Sequence, residues 1–291
     1  MRVAVVGLGR MGSAMAKRLA EQGFDLVVFN RTRSKAEQVA EATGAEVADD
    51  AAAAAASAEV VVSSLADDAA LLELYRQDQG LLAGLGPGKI VVETSTVDPD
   101  TVRSLEREVS AKGAVLLDAP VSGSVPAVES GTLTFMVGGD PDALKKVRPV
   151  LEALGSKIFH LGPVGAGATV KLAVNSIVHA INVALSEALV LAERAGVERS
   201  RAYDVFASSA AAAPFVHYKR AAFERPEEAG VAFSLDLVAK DLDLILGLAG
   251  KVGAPMAQAE ITRRVTARAI EAGYGDADMS AVASYLRSGQ T

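Results

Sequence analysis

Short apolar runs alternate with segments of helical spacing through the first part of the chain. RVAVVG (2–7) is valine-rich and closes on glycine, the pattern of a buried strand. SAMAKRLAEQG (13–23) repeats its apolar positions at helical spacing and stops on glycine. DLVVFN (25–30) predicts a second strand, and SKAEQVAEATG (34–44) a second helix with Ser34 as its cap. Further strands are predicted at 58–65, 89–96, 114–122 and 132–139, with helical segments between several of them. The alanine-rich tract at 49–59 reads as a helix, not a linker. Repeated strand–helix units imply a parallel sheet with right-handed crossovers.

The pattern changes near Leu161. From 165 onward helical spacing dominates: one long segment over 165–196, then segments at about 200–211, 214–223, 234–252, 256–272 and 279–287. The expected organisation is an α/β domain over 1–162 and an all-helical domain over 163–291. The stretch 172–192 is long enough to span a bilayer, but Asn175, His179, Asn182 and Glu187 would be costly in lipid, so it reads as a buried helix.

GLGRMG (7–12) is a GxGxxG between a strand and a helix, and a second strand ends about eighteen residues later. Each glycine has a physical task. Gly7 makes the tight turn, Gly9 admits a pyrophosphate close to the backbone, and Gly12 lets the helix approach the strand. The helix N-terminus, with Leu8, Arg10 and Met11 in the loop, then faces the phosphates. At the end of the second strand an acid would hold a ribose 2′-hydroxyl and repel a 2′-phosphate. This chain has Asn30, Arg31 and Thr32 instead, so the repulsion is gone and donors are supplied. NADP(H) is expected over NAD(H).

The chain has 291 residues, a formal charge of −7 and no cysteine. Thiolate metal sites, disulfides and cysteine nucleophiles are thereby excluded, and the charge disfavours a nucleic-acid partner. No signal peptide is visible at the start and no membrane partner is expected, so a cytoplasmic location is the expectation. The three histidines show no metal-ligand spacing, so no metal is expected.

Lys171 and Asn175 stand i, i+4 on the long helix, and Asn182 returns to nearly the same angle. Such a polar line on an apolar helix is either a lysine at a domain edge with backbone-bonded asparagines, or a proton donor held by an amide. Spacing alone leaves both readings open. The SGS of DAPVSGS (118–124) offers a hydroxyl and backbone N–H groups to an anion, although an ordinary loop has the same composition. Lys240 and Asp241 in AKDLDL (239–244) would ordinarily form a solvated face.

Taken in order, GLGRMGSAMAKRL, STVDP (95–99), DAPVSGS, GAGATVKLAVN (165–175) and AKDLDL resemble the β-hydroxyacid dehydrogenase family over essentially the whole chain. The resemblance implies a Rossmann domain with a doubly wound, mostly parallel sheet, then an all-α domain, joined by a long interdomain helix, with the active site in the cleft. It implies Lys171 as the catalytic lysine and Asn175 as its substrate-holding partner. It further implies Ser122, Gly123, Ser124, Phe233 and Asp241 on the substrate side, and Leu65, Thr96 and Lys240 beside the cofactor. Asn30–Thr32, Ser124 and the ending GDADMSAV (275–282) resemble the NADPH-dependent glyoxylate/succinic semialdehyde reductases. The implied function is reduction of a short aldehyde acid to a hydroxy acid by a homodimer or homotetramer. A 3-hydroxyisobutyrate dehydrogenase is the nearest alternative. An imine reductase ordinarily lacks the lysine, and a non-catalytic nucleotide-binding scaffold has no use for it.

Overall fold

The computed structural model describes residues 1–289. The chain divides into two compact units, Met1–Lys171 and the remainder from Leu172. The first unit runs β1 (Arg2–Val6), α1 (Arg10–Glu21), β2 (Asp25–Phe29), α2 (Arg33–Thr43), β3 (Glu46–Val47), α3 (Ala51–Ser57), β4 (Val60–Ser63), α4 (Asp68–Arg76), α5 (Leu81–Gly84), β5 (Ile90–Glu93) and α6 (Pro99–Ala111). It continues through β6 (Val115–Asp118), β7 (Val121–Ser122), α7 (Val125–Glu129), β8 (Leu133–Gly138), α8 (Pro141–Leu154) and β9 (Gly155–Gly162), then enters α9 (Ala166–Arg194), within which the units divide.

The sheet has the order β3-β2-β1-β4-β5-β6-β8-β7, with β9 paired to β8. The pairs from β3 to β6 are parallel, while β8 runs antiparallel to β6 and β7. Period-two alternation explains the double winding. Val3 and Val5 pack with Met15, Leu19, Val147 and Leu151 on one face. Ala4 and Val6 pack with Ala51, Ala55, Leu71 and Leu105 on the other. Asp50 caps the alanine tract by accepting from Ala53 N at 2.7 Å, which fixes it as helix.

Several sequence expectations are corrected. The run 114–122 is two strands, broken at Ala119 and Pro120, because Pro120 has no N–H for a continuing ladder. β9 is a strand that the hydrophobic pattern does not predict: it is an edge strand with Phe159 and Leu161 outward, so its sequence lacks a buried pattern. The N-cap of α2 is Thr32, not Ser34.

The second unit holds the rest of α9, then α10 (Arg199–Ser208), α11 (Pro214–Tyr218), α12 (Arg220–Glu224), α13 (Leu235–Val252), α14 (Ala257–Ala269), a π-turn at Ile270–Tyr274 and α15 (Ala281–Ser288). Its core joins Leu172, Leu189, Tyr203, Phe223, Leu242 and Val282. The helix α9 is apolar and long enough to cross a membrane by composition. Within this unit its Asn182 Nδ2 donates to Met279 O at 2.9 Å, and Ser186 Oγ donates to Asn182 O at 2.7 Å.

Candidate active site

Strand order reverses between β1 and β4, the switch point at which open α/β sheets bind ligands. The glycine loop sits there. Gly7 has φ +84°, and a Cβ on it would meet Ser64 O at 2.4 Å; a Cβ on Gly12 would meet Gly7 O at 2.0 Å. Both glycines are therefore demanded by the protein itself. Gly9 differs: no protein atom lies within 4 Å of its would-be Cβ, and its φ of −69° suits any residue. Nothing in the protein demands glycine there, and the open space leaves room for a ligand close to the backbone. The first turn of α1, carrying Arg10 and Met11, has no side-chain cap and no acid. These features fit a dinucleotide pyrophosphate.

Asn30 ties the loop down. Its Oδ1 accepts from Leu8 N at 3.0 Å and its Nδ2 donates to Thr32 O at 3.1 Å. Arg33 is engaged by Glu37 and Asp49. Arg31 stays outside, 85% exposed, with Glu73 of α4 at 3.6 Å. Thr32 caps α2 with backbone only.

Behind the loop, Leu65 N donates to Ser95 Oγ at 2.8 Å and Ser95 N donates to Glu93 Oε1 at 2.9 Å. Glu93 also takes Ser63 Oγ and Tyr75 OH, and burial pushes its carboxyl up against those hydrogen bonds. Thr96 follows, half-buried. Ser122 pairs with Thr134 in the sheet, and Ser124 starts α7. Gly123 has φ +130°, and a Cβ on it would meet Leu133 and Ala127 below 3 Å, so this turn admits glycine alone. Lys171 is half-buried on α9.

In the second unit Asn175 Nδ2 donates to Asp241 Oδ2 at 2.6 Å. Lys240 Nζ lies 2.9 Å from Asp241 Oδ1, and His179 Nε2 lies 3.5 Å from Oδ2. Asp241 is fully buried, so the pair 240–241 is not the solvated face that its composition predicts. Burial pushes the Asp241 carboxyl up, but His179 and the Lys240 charge outweigh it and hold it below its ordinary value. The Phe233 ring stacks on His179, with centroids 6.1 Å apart. Phe233 is gripped along its backbone: its N–H donates to Asp278 Oδ2 (3.2 Å) and its carbonyl accepts from Met279 N (2.8 Å). Buried Lys219 holds both oxygens of Asp278 at 2.7 Å. The ending GDADMSAV thus serves Phe233. His179 is not among the sequence-predicted site residues, because neither metal-ligand spacing nor the cost of an imidazole in lipid points to Asp241. Its i+4 place after Asn175 was the available signal. Among the described residues no group of three or more His, Asp or Glu could hold a metal.

Residues 2–162 match the family model for the NAD-binding domain of 6-phosphogluconate dehydrogenase. Residues 165–286 match that for the NAD-binding domain of NADP-dependent 3-hydroxyisobutyrate dehydrogenase. The chain belongs to the β-hydroxyacid dehydrogenase family. This β-hydroxyacid dehydrogenase is 33% identical to glyoxylate/succinic semialdehyde reductase 1 of Arabidopsis thaliana over 97% of both chains. It is 39% identical to the NAD-dependent L-serine dehydrogenase of Pseudomonas aeruginosa over 68% of this chain and 66% of that one. Among solved structures, the Mycobacterium tuberculosis 3-hydroxyisobutyrate dehydrogenase with L-serine superposes with a TM-score of 0.86 at 31% identity, covering 98% of this chain and 99% of that one. Like these relatives, this β-hydroxyacid dehydrogenase is an NAD(P)-binding oxidoreductase acting on the CH–OH group of hydroxy acids.

Proposed function

We propose that this β-hydroxyacid dehydrogenase reduces short aldehyde acids, succinic semialdehyde or glyoxylate, with NADPH. The observation that carries the cofactor choice is the end of β2. Asn30 is spent inside the loop, while Arg31 stays exposed beside the start of α2, which has no side-chain cap and no acid in its first turn. A 2′-phosphate fits that arrangement of charge. The aldehyde acid is supported by the reductase from Arabidopsis thaliana, which matches over nearly the full length of both chains.

Bound NADPH supplies the hydride. Lys171 donates a proton to the developing alkoxide, and its charge stabilises the oxyanion. Asn175 has its amide N–H taken by Asp241, so its oxygen is fixed as an acceptor that orients the lysine or the substrate oxygen. Ser122 and the N–H groups near Gly123 hold the substrate carboxylate and so fix the carbonyl for attack. In the oxidative direction Lys171 is the general base. Exposed Ile177 and Leu191 on α9 support assembly as a homodimer or homotetramer.

A second reading, oxidation of 3-hydroxyisobutyrate or a related 3-hydroxy acid, is favoured by the 39% identity to an L-serine dehydrogenase. Initial rates with NADPH and with NADH distinguish the two, using succinic semialdehyde, glyoxylate, tartronate semialdehyde and methylmalonate semialdehyde. NADPH preference with either of the first two supports the reductase. NADH preference with methylmalonate semialdehyde overturns it. Lys171→Ala is expected to lose most of kcat while still binding cofactor, and near-native turnover would remove the lysine mechanism.

A further inference from the structure

DAPVSGS begins with an aspartate that the mechanism above does not use. Asp118 ends β6 and is 1% exposed. Its Oδ2 accepts from Ala168 N in the first turn of α9 at 2.8 Å. Two glycines make room for it. Gly138 stands opposite Asp118 in the β6–β8 ladder, and a Cβ there would meet Asp118 Oδ1 at 2.3 Å. A Cβ on Gly167 would meet Met136 O at 2.3 Å, Asp118 O at 2.7 Å and Asp118 Oδ2 at 3.0 Å. The helix start is thus seated directly on the end of the sheet, and the carboxylate is the group that joins them.

That seat has a functional address. Lys171 follows Ala168 by three residues, under one helical turn, and Ser122 follows Asp118 by four. One side chain therefore joins the start of the helix that carries the lysine to the strand end from which the chain runs on to the substrate-holding serine. A buried carboxylate is costly unless its bonds are used. Hydrophobic packing alone could seat a helix on a sheet, but a packed apolar contact tolerates sliding, whereas an N–H donated to a fixed oxygen sets the axial position of the turn.

We propose that Asp118 is a positioning residue that sets the axial position of Lys171 relative to Ser122. The inference rests on the reading of Lys171 as the proton donor. It predicts that Asp118→Ala lowers kcat for aldehyde-acid reduction on the order of 10–100-fold, the penalty for small misplacement of a reacting group. NADPH affinity, set at the β1–β4 switch point, stays within about twofold. Asp118→Asn keeps an acceptor oxygen at the same reach and retains kcat to within a few-fold.

The experiment is kcat, KM and NADPH affinity, per folded protein, for Asp118→Ala, Asp118→Asn and Lys171→Ala side by side. Should Asp118→Ala not fold, Asp118→Ser, too short to reach Ala168 N, replaces it. A kcat-only loss in the alanine or serine variant with recovery in asparagine supports the proposal. Equal loss in both variants, or a loss that falls on NADPH affinity, overturns it. Native kcat in the alanine variant, with Lys171→Ala inactive, sinks the positioning role alone. Native kcat in Lys171→Ala sinks the mechanism, and this proposal with it.

Discussion

Asn175 and Asp241 meet amide to carboxylate at 2.6 Å with both side chains buried. The carboxylate needs that donor, because a buried oxygen left without one costs about 1–3 kcal/mol. Asn175→Ala should therefore destabilise the protein by about that amount in denaturant titration. Asn175→Asp should do worse at neutral pH, since it sets two carboxylates against each other, and should recover on acidification. A neutral-pH stability of Asn175→Asp equal to wild type would contradict this account.

Gly9 and Gly12 should respond oppositely to alanine. A Cβ at Gly9 meets no protein atom within 4 Å, so Gly9→Ala should fold with stability within about 1 kcal/mol of wild type. It should nonetheless bind NADPH at least about tenfold more weakly, a loss of about 1.4 kcal/mol. Gly12→Ala drives a Cβ to 2.0 Å from Gly7 O and should cost about 3 kcal/mol of stability or more. Unchanged NADPH affinity in Gly9→Ala would show that nothing approaches this glycine.

Arg31 and Glu73 compete in sign at the proposed 2′-phosphate position. Arg31→Ala should weaken NADPH by about 10–100-fold, the worth of a charge-assisted hydrogen bond, and leave NADH nearly unchanged. Glu73→Gln should tighten NADPH by about 2–5-fold, because exposed ion pairs are worth under about 1 kcal/mol. Equal losses for the two cofactors in Arg31→Ala would show that Arg31 does not read the phosphate. Fluorescence titration with each cofactor measures both.

Asp118 should leave a signature in the pH dependence of stability. Burial raises its carboxyl from 3.8 to about 6, against the N–H groups of Ala168, Gly165 and Gly167. The folded state therefore binds this proton more tightly than the unfolded state. The stability it confers is full below the unfolded value and is lost as pH rises through about 6. Asp118→Asn cannot titrate, so it should gain about 2 kcal/mol on wild type between pH ~4 and pH ~7. A difference that stays flat over that range would mean the carboxyl is not raised.

Much of the fold is legible in local pattern. Valine-rich apolar runs mark β1, β2, β4 and β5, and Gly7, Gly9 and Gly12 mark the phosphate turn. β9 escaped because an exposed edge strand has no period-two burial to display. The 240–241 pair was read as solvated because local composition cannot report that Asn175 and His179, more than sixty residues earlier, close over Asp241.

The sequence by itself determined the order of elements, the glycine turn, the absence of an acid after β2 and the polar line Lys171–Asn175 on one helix. These are properties of neighbours along the chain, where spacing and backbone stereochemistry suffice. Only the tertiary structure decided that Asn30 is an internal tie while Arg31 faces out. It also decided that Asp278 and Lys219 grip Phe233, and that Asp118 seats the first turn of α9. Those facts depend on which distant groups share a desolvated space, and a buried polar atom takes its partner from whatever the fold brings within 3 Å of it.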